Sequence, residues 1–478
     1  MRLVAHTALS AVMWIENWRF VLPVGAACLL WPAEALAHAS DRGFVLLLPT
    51  GHYIVGGAIA VAASFLALVL SPPSLGQVWR ARLTLFALPV DLRVATSLLS
   101  LALLAVLVIA GITGSRDPLS NPLPLVVWTL FWVGLTLLIG IFGNIFRWLD
   151  PWYGLCALFG RAGEGDPRST SRDWSFLPAI VQFAAFAWFE LVYPAPDDPY
   201  RLAVAVSVYW LVNLVAALVV GHRRWSRTGE CFSVFFRIVS RLSVIDLRKD
   251  GRLTLCLPGA KLLDASPLPV SGVLFLLLVL GSVSFDGLMR TFAWLGAIGI
   301  NPLEFPGRSA VMLSNTLGLF FAAGLLAAAF FLCVWLGERM CREPVGLRRA
   351  VGLLVWSIAP IALAYHFAHY LISLLVNGQY ALVAISDPFS LGWNLFGTAD
   401  NYVSAGLVMG LQSAWVLWNL QAVAIVAGHV LAVLVAHILA LRLHTDPTRA
   451  ARSQIPLTVL MVCYTVLGLW LLSTPTGA

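Results

Sequence analysis

The chain has 478 residues, of which 60% are hydrophobic and only 11% charged, with a formal net charge of +7 and a mean hydropathy of +0.87. A soluble globule carries about 25% charged residues, so this composition excludes one and makes the lipid bilayer the chain's solvent and first partner. The positive charge suits anionic lipid rather than nucleic acid, because no basic helix or aromatic stacking platform accompanies it.

Residues 1–37 read as a removable signal. Arg2 and Arg19 lie in a basic stretch, residues 20–31 are apolar, and Ala35-Leu36-Ala37 precedes His38. The alternative is an uncleaved first helix. Cleavage puts His38 at a free N-terminus, where its α-amine and imidazole can chelate one metal, copper by ligand type, with His52 as a third nitrogen.

Ten apolar segments follow, at 52–71, 94–113, 122–146, 176–193, 202–221, 266–285, 309–336, 351–376, 413–441 and 455–474. Each is near the roughly 20 residues that a helix needs to cross a bilayer. The fold class is therefore an all-α polytopic membrane protein of about ten transmembrane helices, built as one domain over 38–478. Of 30 Lys and Arg, 23 fall in alternate loops, nine of them between 223 and 261. By the positive-inside rule those loops face the cytoplasm and both ends of the mature chain lie outside, as expected of a multi-pass protein of a bacterial inner membrane. None of the seven cysteines falls in an external loop, so no disulfide framework is expected.

Two connections are long. The cytoplasmic insertion 222–265 alternates apolar and basic residues at helical spacing over 235–242, which reads as a short interfacial helix followed by a strand-like turn at Asp250-Gly251. The external loop 377–412 has no Lys or Arg but holds Gln379, Asp387, Trp393, Asn394, Asp400 and Asn401, a mixture suited to a lid or pocket wall.

The residues with most chemical promise are intramembrane histidines. His366 and His369, three apart, share a helix face. His429 falls at roughly the depth of His366, and His437 lies about 12 Å further along the same helix. A cluster of His366, His369 and His429 can bind a divalent metal or hold haem iron. It can equally consist of imidazoles that hydrogen-bond across helices. Among acids at outer helix ends, which include Glu190, Glu304 and Asp387, the preferred partners are Asp286 and Asp400, as orienters of an imidazole or as a general base. Capping or solvated roles are the ordinary alternative. No nucleophile elbow, phosphate-binding glycine loop or H-E-x-x-H motif occurs.

Several stretches together resemble a family of bacterial integral membrane proteins commonly labelled fenitrothion hydrolase. They are residues 37–49, Asp150-Pro151-Trp152, Ser284-Phe285-Asp286-Gly287, Tyr365-His366-Phe367-Ala368-His369-Tyr370 with Gly378-Gln379, Ser386-Asp387-Pro388-Phe389, residues 392–400, Gly428-His429 and Ala436-His437. The resemblance implies hydrolysis of a hydrophobic organophosphorus triester with release of a nitrophenol. On that reading His366, His369 and His429 ligate a metal whose bound water attacks phosphorus. Asp400 or Asp286 serves as orienter or base, and Trp393, Phe396 and Gln379 bind the small hydrophobic substrate. Two rivals accompany it: a copper-handling permease fed by His38 and His52, and a b-type haem protein with His366 or His369 and His429 as axial ligands. A second protein subunit is left open.

Overall fold

The computed structural model describes residues 48–72, 74–87, 92–163, 175–247, 252–302, 307–341, 343–404 and 410–474. His38 and the signal read at 1–37 lie outside the described residues, as do Glu304 and the Asp250-Gly251 turn. The ten apolar segments form α1 (Thr50–Val69), α2 (Arg93–Thr113), α3 (Pro122–Phe142), α4 (Leu177–Leu191), α5 (Pro199–Val220), α6 (Val270–Met289), α7 (Met312–Arg339), α8 (Leu347–Ser386), α9 (Leu411–Leu443) and α10 (Pro447–Ser473). Among the described residues, nine of these are long and apolar enough to cross a membrane. The exception is α4, whose 15 residues rise about 22 Å, short of the roughly 30 Å hydrocarbon core. The chain is thus a mostly helical, multi-pass membrane protein.

Burial separates centre from rim. In their most apolar stretches, 83% of residues are buried in α6 and in α8, against 17% in α1, α2 and α5. The rim helices therefore offer Val, Leu and Ile to lipid, while α6 and α8 are covered by protein. α8 packs against α9, α6 and α3, and α6 also packs against α7 and α4.

Two central helices depart from regular winding. α3 is a π-helix over Leu125–Leu135, a rare form common at functional sites. Its Trp132 carbonyl accepts from Thr136 Oγ1 at 2.5 Å and from His366 Nε2 at 3.0 Å. In α8 a 3-10 turn, Val355–Ser357, precedes Pro360. Proline has no N–H to give to the preceding turn, and the tightened backbone takes up the defect.

Three expectations need correction. The long connection before α9 is shorter than 377–412, because α8 continues to Ser386 and α9 starts at Leu411. Gln379 therefore sits on a helix. The segment Cys231–Val239 is helical but not interfacial: eight of its nine residues are buried, and Phe232, Phe235 and Phe236 join an aromatic cluster with Phe131, Trp132 and Phe183. The fold also includes a small antiparallel sheet, in the order β1 (Arg82–Ala87), β3 (Arg252–Cys256), β2 (Ile245–Leu247), with Arg82 opposite Cys256 and Asp246 opposite Thr254. Burial alternates along the end of β3, with Thr254 and Cys256 covered and Leu255 between them exposed, so one face of the sheet is covered.

Candidate functional site

Among the described residues, three carboxylate–imidazole pairs form. Asp150 Oδ2 meets His222 Nε2 at 2.7 Å, Glu338 Oε1 meets His444 Nε2 at 3.0 Å, and Asp286 Oδ2 meets His369 Nε2 at 2.8 Å. Their surroundings distinguish them. The first two pairs are enclosed, with no side chain more than 6% exposed. Asp150 also accepts from the Trp152 and Tyr153 amides, and Glu338 from the Val345 amide. Those pairs fasten helix ends. In the third, Asp286 is 8% exposed but His369 is 28% exposed, so only this imidazole, of the three, combines a carboxylate partner with access from outside.

Around it stands a polar network in an apolar bundle. Asp286 occupies the last turn of α6, His369 and Tyr370 follow each other on α8, and Glu190 is next to last in α4. The Tyr370 hydroxyl lies 2.8 Å from Asp286 Oδ2 and 3.1 Å from Glu190 Oε1, so it bridges two carboxyl groups from different helices. Arg308 donates to the Glu190 and Tyr193 carbonyls at 2.8 and 3.4 Å. Arg290 lies within electrostatic reach of Asp286, and Arg308 within reach of both acids. Trp132 packs edge-on against His366, 4.8 Å between ring centres, and His366 against Tyr370 at 4.9 Å. Charged groups in lipid are costly and mark functional sites by default.

With the Nε2 hydrogen given to Asp286, His369 keeps a lone pair at Nδ1. That atom faces α6 where the residue is Gly287. A Cβ at 287 would lie 3.9 Å from Nδ1, an ordinary van der Waals contact.

The proposed metal ligands do not come together. His366 Nε2 is engaged with the Trp132 carbonyl, and His429 Nδ1 with the Ile425 carbonyl of its own helix at 2.8 Å. The remaining His429 Nε2 is buried without a hydrogen-bond partner, and its ring lies beside Tyr464. Among the described residues no group of three or more His, Cys, Asp and Glu could hold a metal ion. Nor do His366 and His369 offer a free Nε2 to a haem iron. His437 is likewise turned elsewhere, toward Gln454, and His52 is exposed at the start of α1.

The two acids favoured by the sequence part company. Asp286 orients an imidazole, whereas Asp400 belongs to the loop, 3.3 Å from Asn394 Nδ2. Trp393 and Phe396 are exposed, at 43% and 69%. Gln379 fastens the loop, donating to the Ser404 carbonyl at 3.2 Å and accepting from its amide at 3.0 Å. Asp387 accepts from the Leu391 and Gly392 amides and closes the turn after α8. Partial desolvation works to raise its carboxyl, but those amides, with Trp393 and Ser390, hold it below the ordinary carboxylate range. Sequence reasoning missed the roles of Tyr370 and Glu190. The signal was a tyrosine next to His369 and an acid inside an apolar segment.

No protein-family model, no curated protein and no solved structure matches this chain.

Proposed function

We propose that the protein is a membrane-embedded hydrolase of hydrophobic organophosphorus triesters, of which fenitrothion is an example. His369 takes a proton from the attacking water at Nδ1, the water oxygen bonds to phosphorus, and the aryl oxygen to phosphorus bond breaks to release a nitrophenolate. Asp286 fixes the tautomer that leaves Nδ1 basic and stabilises the imidazolium that forms, the part a carboxylate plays in an acid–histidine pair. Arg290 and Arg308 supply positive charge near that site for the oxyanion developing on phosphorus.

This reading rests on one contact, the 2.8 Å bond between Asp286 and a partly exposed His369. A neutral aryl triester partitions into lipid, which suits a site at the end of a helical bundle. The alternation of basic loops favours an inner-membrane protein with this end of the bundle outside the cytoplasm. Among the described residues no group of three or more His, Cys, Asp and Glu could hold a metal ion, so this reading assigns water activation to the Asp286–His369 pair.

The test is nitrophenol release from fenitrothion by membranes carrying equal amounts of the wild-type chain, His369→Ala or His429→Gln. Release that disappears in His369→Ala and persists in His429→Gln is the expected result. Equal loss in both variants would return the site to a shared metal, and full release from His369→Ala would sink the proposal.

A further inference from the structure

A second site lies between the far end of α3 and the small sheet. Here a cavity of about 600 Å³ is bordered by Arg82, Arg147, Arg237, Arg241 and Lys261. These five cations face two carboxylates, Asp246 and Asp264. Arg82 pairs with Asp264 at 3.0 Å, and Lys261 stands 3.7 Å from Asp246. The other cations have neutral partners: Arg237 donates to the Ser226 and Arg227 carbonyls, and Arg241 to the Lys261 carbonyl at 3.2 Å. Arg147 stacks 5.2 Å from the Trp148 ring centre and enters no ion pair among the described residues.

So much like charge in a half-buried space is costly without a counter-ion. Burial, together with Arg241 and Arg227 close by, pushes the Arg237 guanidinium down to about 10. Burial also lowers the Lys261 ammonium. Hydrogen-bonding capacity points the same way. Asn144 Oδ1, on the cavity wall, is buried without a partner among the described residues and can accept from a ligand hydroxyl. Phe142, Ile145 and Trp148 form the apolar part of the wall, and tryptophan favours the headgroup level of a bilayer.

We propose that this cavity binds a phosphate group, carried by the headgroup of an anionic phospholipid. A basic pocket at the ends of membrane helices is suited to such a headgroup. The surplus cations take the phosphate, Asn144 takes a glycerol hydroxyl, and the apolar wall borders the start of the acyl chains. This site is separate from the Asp286–His369 pair and does not depend on the hydrolase reading.

The full chain, purified in neutral detergent, is titrated with phosphatidylglycerol, phosphatidylcholine or inorganic phosphate, following bound lipid by native mass spectrometry and the melting temperature for all three. Phosphatidylglycerol should bind at least tenfold more tightly than phosphatidylcholine. Arg147→Gln and Arg241→Gln should each weaken it severalfold, while Arg339→Gln, which removes a cation stacked on Trp335 outside the cavity, should not. Inorganic phosphate binding that is sensitive to the same two variants, without a preference for phosphatidylglycerol, would support the phosphate site and identify its source as soluble. Arg147 enters no ion pair among the described residues, so its variant should fold even if Arg241→Gln does not. If Arg147→Gln alters neither lipid nor phosphate binding, the proposal is overturned.

Discussion

Asp286 Oδ2 and His369 Nε2 stand 2.8 Å apart across the contact between α6 and α8, and the Tyr370 hydroxyl reaches the same carboxylate oxygen at 2.8 Å. One acid from α6 thus receives hydrogen bonds from two consecutive residues of α8. The arrangement sets the direction of the imidazole before any substrate arrives.

Replacing Asp286 by Asn keeps the size of the side chain but removes the charge that stabilises an imidazolium. Nitrophenol release by Asp286→Asn membranes should fall by about 10²–10⁴, the usual contribution of a positioned base, at unchanged membrane content of the protein. A variant with wild-type release would show that His369 works without its carboxylate, and the base assignment would fail.

Tyr370→Phe tests the bridge rather than the base. A hydroxyl has one hydrogen, and Tyr370 lies within reach of both Asp286 and Glu190. Its removal takes away the one donor that Asp286 and Glu190 share, at a cost of about 1–3 kcal/mol. The melting temperature should drop while release falls less than in Asp286→Asn. An equal loss of release with no drop in melting temperature would instead place the hydroxyl among the reacting groups.

The spans and the prominence of Asp286 and His369 as candidates were within reach of the sequence for different reasons. Lipid forces each apolar run into a helix, so α1 to α10 follow from composition alone. Asp286 and His369 stand out because ionisable residues are rare in such runs. Which imidazole meets which oxygen is a matter of helix rotation. His366 and His369 share a face, yet one turns to the Trp132 carbonyl and the other to Asp286. The π-winding of α3 and the burial of Cys231–Val239 among aromatic rings arise from packing between segments far apart in the chain. Periodicity in a short window does not contain that information. Glu190 looked like an ordinary acid at a helix end, and only the reach of Tyr370 from another helix gives it a role.

Glu230 offers a pH test outside the spans. Its carboxylate caps Cys231–Val239 by accepting from the Phe232 and Ser233 amides, and Tyr209 donates to it. Burial outweighs these hydrogen bonds and raises its proton affinity. An acid whose folded value lies above its unfolded value is favoured in the folded state at low pH, and loses that contribution as pH rises from about 4 through the folded value. Glu230→Gln keeps an acceptor for the cap and carries no charge. Its melting temperature should therefore gain on the wild type as pH rises over that range. Glu230→Ala should lie about 0.5–2 kcal/mol below Glu230→Gln at every pH, the usual cost of a missing cap. A difference between wild type and Glu230→Gln that does not change with pH would contradict the assignment.

The approach of α8 and α9 behind the site depends on Gly428. A Cβ there would lie 2.4 Å from the Ala364 Cβ and 3.0 Å from the Pro360 carbonyl, and neither atom is the flexible end of a side chain. Small residues permit such close packing of membrane helices. Gly428→Ala should cost about 1–3 kcal/mol as the helices separate, read as a lower melting temperature. Adding Ala364→Gly removes the closer of the two contacts and leaves the carbonyl. The double variant should recover most, but not all, of the lost stability. If Ala364→Gly brings no recovery, the two helices do not meet at these residues.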